Sequence, residues 1–161
     1  MNNGGTDIDL STFYKNHWPQ YQMVLLPQNN KIANNVIQKT SGTAIFTTVQ
    51  DTASPLNTIT FAPNVFEGNM IHGATVQINA PNVSTGYTIS SSPLLALSNG
   101  LFRPTTNSPV IGSAVGSYVT VDMDGQTRTD GDIDSGADEV ASSAITRKPL
   151  TSQDVGPLWM R

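Results

Sequence analysis

No helical period runs through the chain; short β-branched runs recur instead between polar turns, as in NNKIANNVIQ, TAIFTTVQ, NTITFAPNVFEGNMI and ATVQINA. These runs predict short strands. Ile32/Val36, Ile45/Thr47/Val49 and Val76/Ile78 have spacings that put side chains on one face of a strand, so each run can bury a single stripe. The two most alike segments, NNKIANNVIQ from Asn29 and LNTITFAPNVFEGN from Leu56, share a polar opening, a β-branched strand and an Asn-bearing turn. Their offset, Ile32 to Ile59, is 27 residues. A repeated strand-turn-strand unit of this size suggests a solenoid, in which each coil pairs with the next and none can bury its apolar face alone. A β-sandwich gives short strands at similar spacing, and two copies leave both folds open. Asn34, Asn35, Asn64 and Asn69 suit turns of stacked coils, because Asn tolerates left-handed backbone and its carboxamide bonds to main-chain groups. Residues 92–112 change character, with three prolines and no sustained alternation, and read as irregular packing across a coil end.

Composition narrows the partners. A chain of 161 residues is the size of one domain with a real core. A net charge of −4 leaves no basic stripe for phosphates or anionic lipid, which argues against nucleic acid and membrane surfaces. No apolar run approaches a membrane span. The absence of Cys excludes disulfides, thiolate metal sites and a cysteine nucleophile. The opening MNNGGTDIDLST lacks the basic and apolar regions of an export signal, so such a signal is expected outside this chain.

Seven of the twelve acidic residues fall in DMDGQTRTDGDIDSGADE, residues 122–139. Asp130, Asp132 and Asp134 have the spacing with which a calcium loop begins, yet Ser135 and Ala141 stand where such a loop needs Gly and a bidentate Glu. The stretch is therefore expected to close the fold and to hold no metal. Asp122 and Asp124 would fix a turn around Gly125, Arg128 would pair with a neighbouring carboxylate, and Gly136 would permit close backbone approach. Arg103 is expected to hold the coil-end segment through carbonyl hydrogen bonds. Thr151 followed by Asp154 resembles a capping box opening a short helical turn, ended by Gly156-Pro157, with Trp159 as an apolar plug. His72 reads as a turn histidine with its hydrogen bonds satisfied. His17, Trp18 and Tyr21, beside Tyr14 and Lys15, are the candidate substrate-binding residues: an aromatic, mildly basic loop can line a sugar groove. Phe13, Trp18 and Tyr21 packing an insertion against the coils is the competing explanation.

The stretches GLFRPTTNSPVIGSA, VDMDGQTR and DSGADE together resemble the closing segment of right-handed parallel β-helix proteins. KPLTSQDVGPLW, residues 148–159, is similar to the terminal signature of the alginate lyase and chondroitinase B family of polysaccharide lyases. The specific part of the resemblance runs from Arg103 onward, and Ser135 departs from it, standing where the family has an apolar residue. The resemblance implies an all-β, right-handed single-stranded parallel β-helix. Residues 1–28 would form an N-terminal loop or insertion, 29–91 the coils, and 92–161 the closing segment and cap. It implies β-elimination on a uronate polymer such as alginate. In that family calcium neutralises the uronate carboxylate, a Lys acts as base and an Arg assists. The N-K-S and R-H-G motifs that carry those roles are absent. Only Glu67 and Glu139 supply glutamate, and none of Lys15, Lys31, Lys39 or Lys148 has the required neighbours. No catalytic residue and no calcium ligand is carried over; the catalytic residues are expected upstream, and this chain alone is expected to be inactive. The implied partners are an anionic polysaccharide and either an N-terminal portion of the β-helix or another copy, in a periplasmic or secreted setting. The alternatives are a non-catalytic β-helix module that binds polysaccharide or serves in an adhesin or tailspike, and a structural cap without a ligand.

Overall fold

The computed structural model describes residues 8–13, 29–50, 64–79, 86–128, 131–151 and 154–155. Among these residues the protein is all-β, with no helix. Strands β2 (Lys31–Ala33), β3 (Val36–Gln38) and β4 (Thr43–Gln50) follow one another. β5 (Val65–Glu67), β6 (Asn69–His72) and β7 (Thr75–Asn79) repeat that order. Each strand of the second triplet lies parallel to its counterpart in the first, with Ile32 opposite Phe66, Ile37 opposite Ile71 and Ile45 opposite Val76. β1 (Ile8–Phe13) adds in parallel to β4, and β8 (Tyr87–Ser90) adds in parallel to β6. Parallel neighbours cannot be joined by a tight hairpin, so the chain between them must make a long return. Here the intervening strands make that return.

Two asparagine pairs set the register, and they revise the repeat inferred from sequence. Asn64 Oδ1 accepts from Asn30 N at 3.1 Å and Asn30 Nδ2 at 2.9 Å, across 34 positions. Asn69 Oδ1 accepts from Asn35 N at 3.1 Å and Asn35 Nδ2 at 2.9 Å, again across 34. The offset is thus 34 residues for β2/β5 and β3/β6, with Ile32 beside Phe66, and shortens to 31 at Ile45 beside Val76; Ile59, the expected counterpart of Ile32 at 27, lies outside the described residues. Apolar residues are interchangeable between registers, whereas a carboxamide that must meet another carboxamide is not.

Between β2 and β3 the backbone turns at Asn34 with φ 55°, and between β5 and β6 at Gly68 with φ 64°. One left-handed residue at the same place in each repeat makes a corner. Ile32 and Val36 therefore sit on different strands, not on one face of a single strand as their spacing suggested.

The corners let three sheets share one core. Ala44, Ile45, Phe66 and Ile71 are buried, packed against Ile8, Ile32, Ile37, Val76 and Tyr87, so β1-β4-β7, β2-β5 and β3-β6-β8 all contribute. The alternate residues of β3 and β6, Val36 and Met70, face a second cluster with Leu94, Leu95 and Val110. β3 and β6 are thereby covered on both faces, as parallel strands usually are, whereas Thr88 and Ile89 of β8 are exposed.

Three further expectations change. Ile8–Phe13, read as part of a loop, is strand β1. The span read as irregular contains an antiparallel hairpin, β9 (Leu95–Ser98) and β10 (Leu101–Pro104). Its turn residues Asn99 and Gly100 have φ 51° and 81°, the backbone that Asn-Gly adopts most readily in a two-residue hairpin. At the C-terminal end, Asp154 Oδ2 accepts from Thr151 N at 2.8 Å and Thr151 Oγ1 at 2.7 Å, closing a turn and not a helix among the described residues; Trp159 lies outside them.

Candidate functional site

A groove of about 630 Å³ opens between the Asn34 corner and the closing segment, with Asn35, Phe102, Tyr118, Val119 and Asp122 among its lining. Two sets of polar residues shape it.

The first is a carboxylate and arginine network that folds the closing segment onto itself. Arg103 on β10 meets Asp124 Oδ1 through Nη2 at 2.9 Å and Asp138 Oδ1 through Nη1 at 2.7 Å. Its Nη1 also lies 2.6 Å from Asp124 Oδ2, a charge contact without hydrogen-bond alignment. Arg128 is buried and donates to the carbonyls of Asp134 and Gly136, both at 2.7 Å, with Glu139 Oε2 3.4 Å away. Arg103, expected to bind carbonyls, thus binds carboxylates, while Arg128 pairs with a neighbouring carboxylate, Glu139, as expected and adds two carbonyl bonds.

Five buried carboxylates, Asp122, Asp124, Asp134, Asp138 and Glu139, outnumber these guanidinium groups. Backbone amides make up the difference. Asp122 accepts from Gln126 N and Glu139 N, at 2.7 and 3.1 Å. Asp134 accepts from Gly112 N and Val140 N, both at 2.8 Å, and Glu139 Oε2 accepts from Asp134 N at 3.1 Å. These amides give the buried carboxylate oxygens their hydrogen-bond partners. Burial pushes the pKa of Asp138 above the ordinary value of 3.8, while Arg103 pulls it down. The Arg103 guanidinium is held protonated even more firmly than usual, chiefly by its hydrogen bond to Asp124.

Carboxylate oxygens of Asp122, Asp124 and Asp138 approach within 4.8 Å of one another. Arg103 pairs with Asp124 and Asp138 of this triplet, and Asp122 is bonded instead to the amides of Gln126 and Glu139. The calcium-like spacing noticed in sequence is a different set. Asp130 lies outside the described residues, Asp132 is exposed, and both oxygens of Asp134 are engaged by amides.

Close backbone approach completes the closure. Gly136 N donates to Asn34 O at 2.8 Å, with φ 106° at Gly136, and a Cβ there would meet Val36 Cγ2 at 3.0 Å. Ser135, the departure from the family pattern, is buried; its hydroxyl donates to Gly68 O at 3.0 Å and accepts from Ser113 at 2.9 Å. Asn34 Oδ1 accepts from Val115 N at 2.9 Å while Asn34 Nδ2 donates to Val115 O at 3.1 Å. The closing segment is thus bonded to both corners.

The second set sits at the rim. Lys31 on β2 donates to Tyr118 OH at 2.8 Å and pairs with Glu67 on β5 at 3.0 Å, and Tyr118 OH also bonds Glu67 Oε1. These groups form a half-exposed proton-bearing chain that ties the closing segment to two adjacent strands. Nothing in the spacing of three residues so far apart in sequence announces it. Phe102 and Tyr118 are 54% and 50% exposed, leaving two aromatic rings at the groove.

His72, expected in a turn, is the last residue of β6, and its Nδ1 lies 3.0 Å from Ser90 O, in hydrogen-bond reach of that carbonyl. The proposed sugar-contacting residues His17, Trp18 and Tyr21 lie outside the described residues. Comparison with protein-family models, curated proteins and solved structures returns no match for this chain.

Proposed function

We propose that this chain is the C-terminal portion of a right-handed, single-stranded parallel β-helix protein of the polysaccharide lyase class, acting by β-elimination on uronate polymers, alginate foremost. The observation that supports it best is the in-order parallel pairing of β2 with β5, β3 with β6 and β4 with β7, around one core and under a bonded closing segment. Successive strand triplets stacked this way are the units of a solenoid. The sequence signature supplies the enzymatic part of the reading.

In this reading the catalytic base, the proton donor and the family's calcium ligands belong to coils upstream, and the protein works in the periplasm or outside the cell. Charge supports an inactive isolated chain. Arg103 and Arg128 are committed to the closing network, which leaves Lys31, Arg147 and Lys148 as the exposed cations among the described residues. Elimination from a uronate needs a carboxylate neutraliser, a base and an acid at one place, and each contributes several kcal/mol. A second reading, a polysaccharide-binding or adhesin-type module without cleavage, is favoured by the two exposed rings at the groove.

Ultraviolet absorbance of unsaturated products from alginate separates these readings. The chain alone should give none, and the chain joined to its upstream polypeptide should give steady product. Product formation by the chain alone, lost in Lys31→Ala or Tyr118→Phe, would place the active site here instead. Alginate binding without cleavage in either form would select the module.

A further inference from the structure

We infer that the free edge of β2 and β3 is a docking site for an extended polypeptide that carries two asparagines five positions apart and adds to the edge in parallel. The inference rests on the stacked-coil part of the reading above and not on the sugar. It starts from which way the strand amides point. Asn30 O accepts from Val65 N, Asn34 N donates to Glu67 O, Asn35 O accepts from Met70 N, and Lys39 N donates to His72 O. Main-chain groups alternate sides along a strand, so Lys31 and Ala33 of β2 and Val36 and Gln38 of β3 direct theirs away from β5 and β6. No strand pairs with that side of β2 or β3 among the described residues, whereas the corresponding side of β4 is covered by β1. A row of unpaired strand groups is a template for another strand.

The side chains add specificity. In each asparagine pair the residue on one strand donates N and Nδ2 to the Oδ1 of its partner on the next strand. Asn30 and Asn35 are the donors, and their own Oδ1 atoms accept no hydrogen bond among the described residues. The ladder therefore ends with two open acceptors, five positions apart, aligned with the open edge. A strand that repeated the pattern Asn-x4-Asn, as residues 64 to 69 and 30 to 35 do, would fill both. Ala33, Asn34, Asn35 and Val36 also line the groove, together with exposed Phe102, Tyr118 and Val119. A polypeptide corner seated on the edge would cover those apolar groups. Main-chain pairing would then supply affinity, and the asparagines the register.

The test uses the intact chain and a fluorescent peptide of sequence NVFEGNMIH, copied from residues 64–72. By the geometry of the existing pairs, the peptide amides equivalent to Phe66 and Ile71 face the edge, and those equivalent to Val65 and Met70 face away. Fluorescence polarisation should show saturable binding. Replacing both peptide asparagines with alanine should weaken it by about tenfold or more, since both Nδ2 donors are lost while the backbone N–H groups remain. N-methylation at the Phe66 and Ile71 equivalents should abolish binding, while N-methylation at the Val65 and Met70 equivalents should leave it nearly intact. No saturable binding up to about 1 mM peptide, equal binding of the alanine peptide, or equal effects of the two N-methylated peptides would each overturn the inference. Because no saccharide is present, failure here leaves the lyase reading untouched, and failure of alginate cleavage leaves this one standing.

Discussion

Replacing Asn69 with alanine should cost this protein more than any surface change near it, and the structure gives the size of the loss. Asn69 is fully buried. Its Oδ1 accepts two hydrogen bonds from Asn35, and its Nδ2 donates to Ile32 O at 2.8 Å and Gly86 O at 3.1 Å. Four bonds at a net 0.5 to 1.5 kcal/mol each set an upper range of about 2–6 kcal/mol. Gly86 O keeps a bond from Asn69 N at 3.2 Å, so not every partner is left bare, and the expected loss is about 2–4 kcal/mol. For a domain of this size that lowers the melting temperature by about 4–16 °C. Equilibrium urea unfolding should show the midpoint fall with little change in slope. Asn69→Asp keeps the acceptor but loses both donations and sets a negative charge beside two carbonyls, so it should not restore stability. A double-mutant cycle with Asn35→Ala should give a coupling of about 1 kcal/mol or more. A loss below about 0.5 kcal/mol for Asn69→Ala would refute the claim that the carboxamide ladder fixes the register.

Arg103→Met leaves Asp124 and Asp138 facing each other without their cation, and should destabilise the chain by about 3 kcal/mol, the low end for a buried pair because the arginine is partly accessible. Adding Asp138→Asn to that variant should recover part of the loss in urea titrations. Asp138 makes a pH dependence of known sign. Its folded pKa is raised, so the native state holds the proton more tightly than the unfolded chain. Its contribution to stability is full below the ordinary value of 3.8 and is lost as pH rises through the higher folded value. Asp138→Asn should flatten that part of the stability profile, and a profile unchanged by the substitution would contradict the assignment. Gly136→Ala should lose about 1–3 kcal/mol in the same assay, since φ 106° disfavours a side chain and the new Cβ meets Val36. Tyr118→Phe removes the bonds to Lys31 and Glu67 at an exposed site and should shift stability by less than about 1 kcal/mol.

The sequence disclosed what local chemistry controls and hid what long-range pairing controls. Short strands with β-branched residues and the turn at Gly125 were legible because each depends on residues a few positions apart; Gly136 could be read as a place of close approach, but not that Asn34 and Val36 are what it approaches. The acidic stretch could be read as fold-closing, since a calcium loop lacks its Gly and Glu there. The pairing of Arg128 with a nearby carboxylate could be read as well, but that of Arg103 could not, because Arg103 stands 21 residues before Asp124. The 34-residue repeat was in fact written in the chain, as Asn30 and Asn35 followed by Asn64 and Asn69. Matching apolar runs obscured it, because hydrophobic patterns align nearly as well at 27. The Asn99-Gly100 hairpin signal was equally plain and was outweighed by the prolines on either side. The rim of Lys31, Glu67 and Tyr118 had no sequence signal at all, being assembled from two strands and the closing segment.

The central claim is that successive strand triplets lie in parallel, with β2/β5 and β3/β6 offset by 34 residues and β4/β7 by 31 from Ile45 onward, and nuclear Overhauser contacts in the isotope-labelled chain test it most directly. Backbone protons of Ile32 and Phe66 should be in contact, as should those of Ile37, Ile71 and Ile89 in order across the sheet. Asn69 side-chain protons should also see the Ile32 and Gly86 backbone. Antiparallel contacts between β2 and β3, or contacts joining Ile32 to Ile59 in place of Phe66, would contradict the architecture and every assignment built on it.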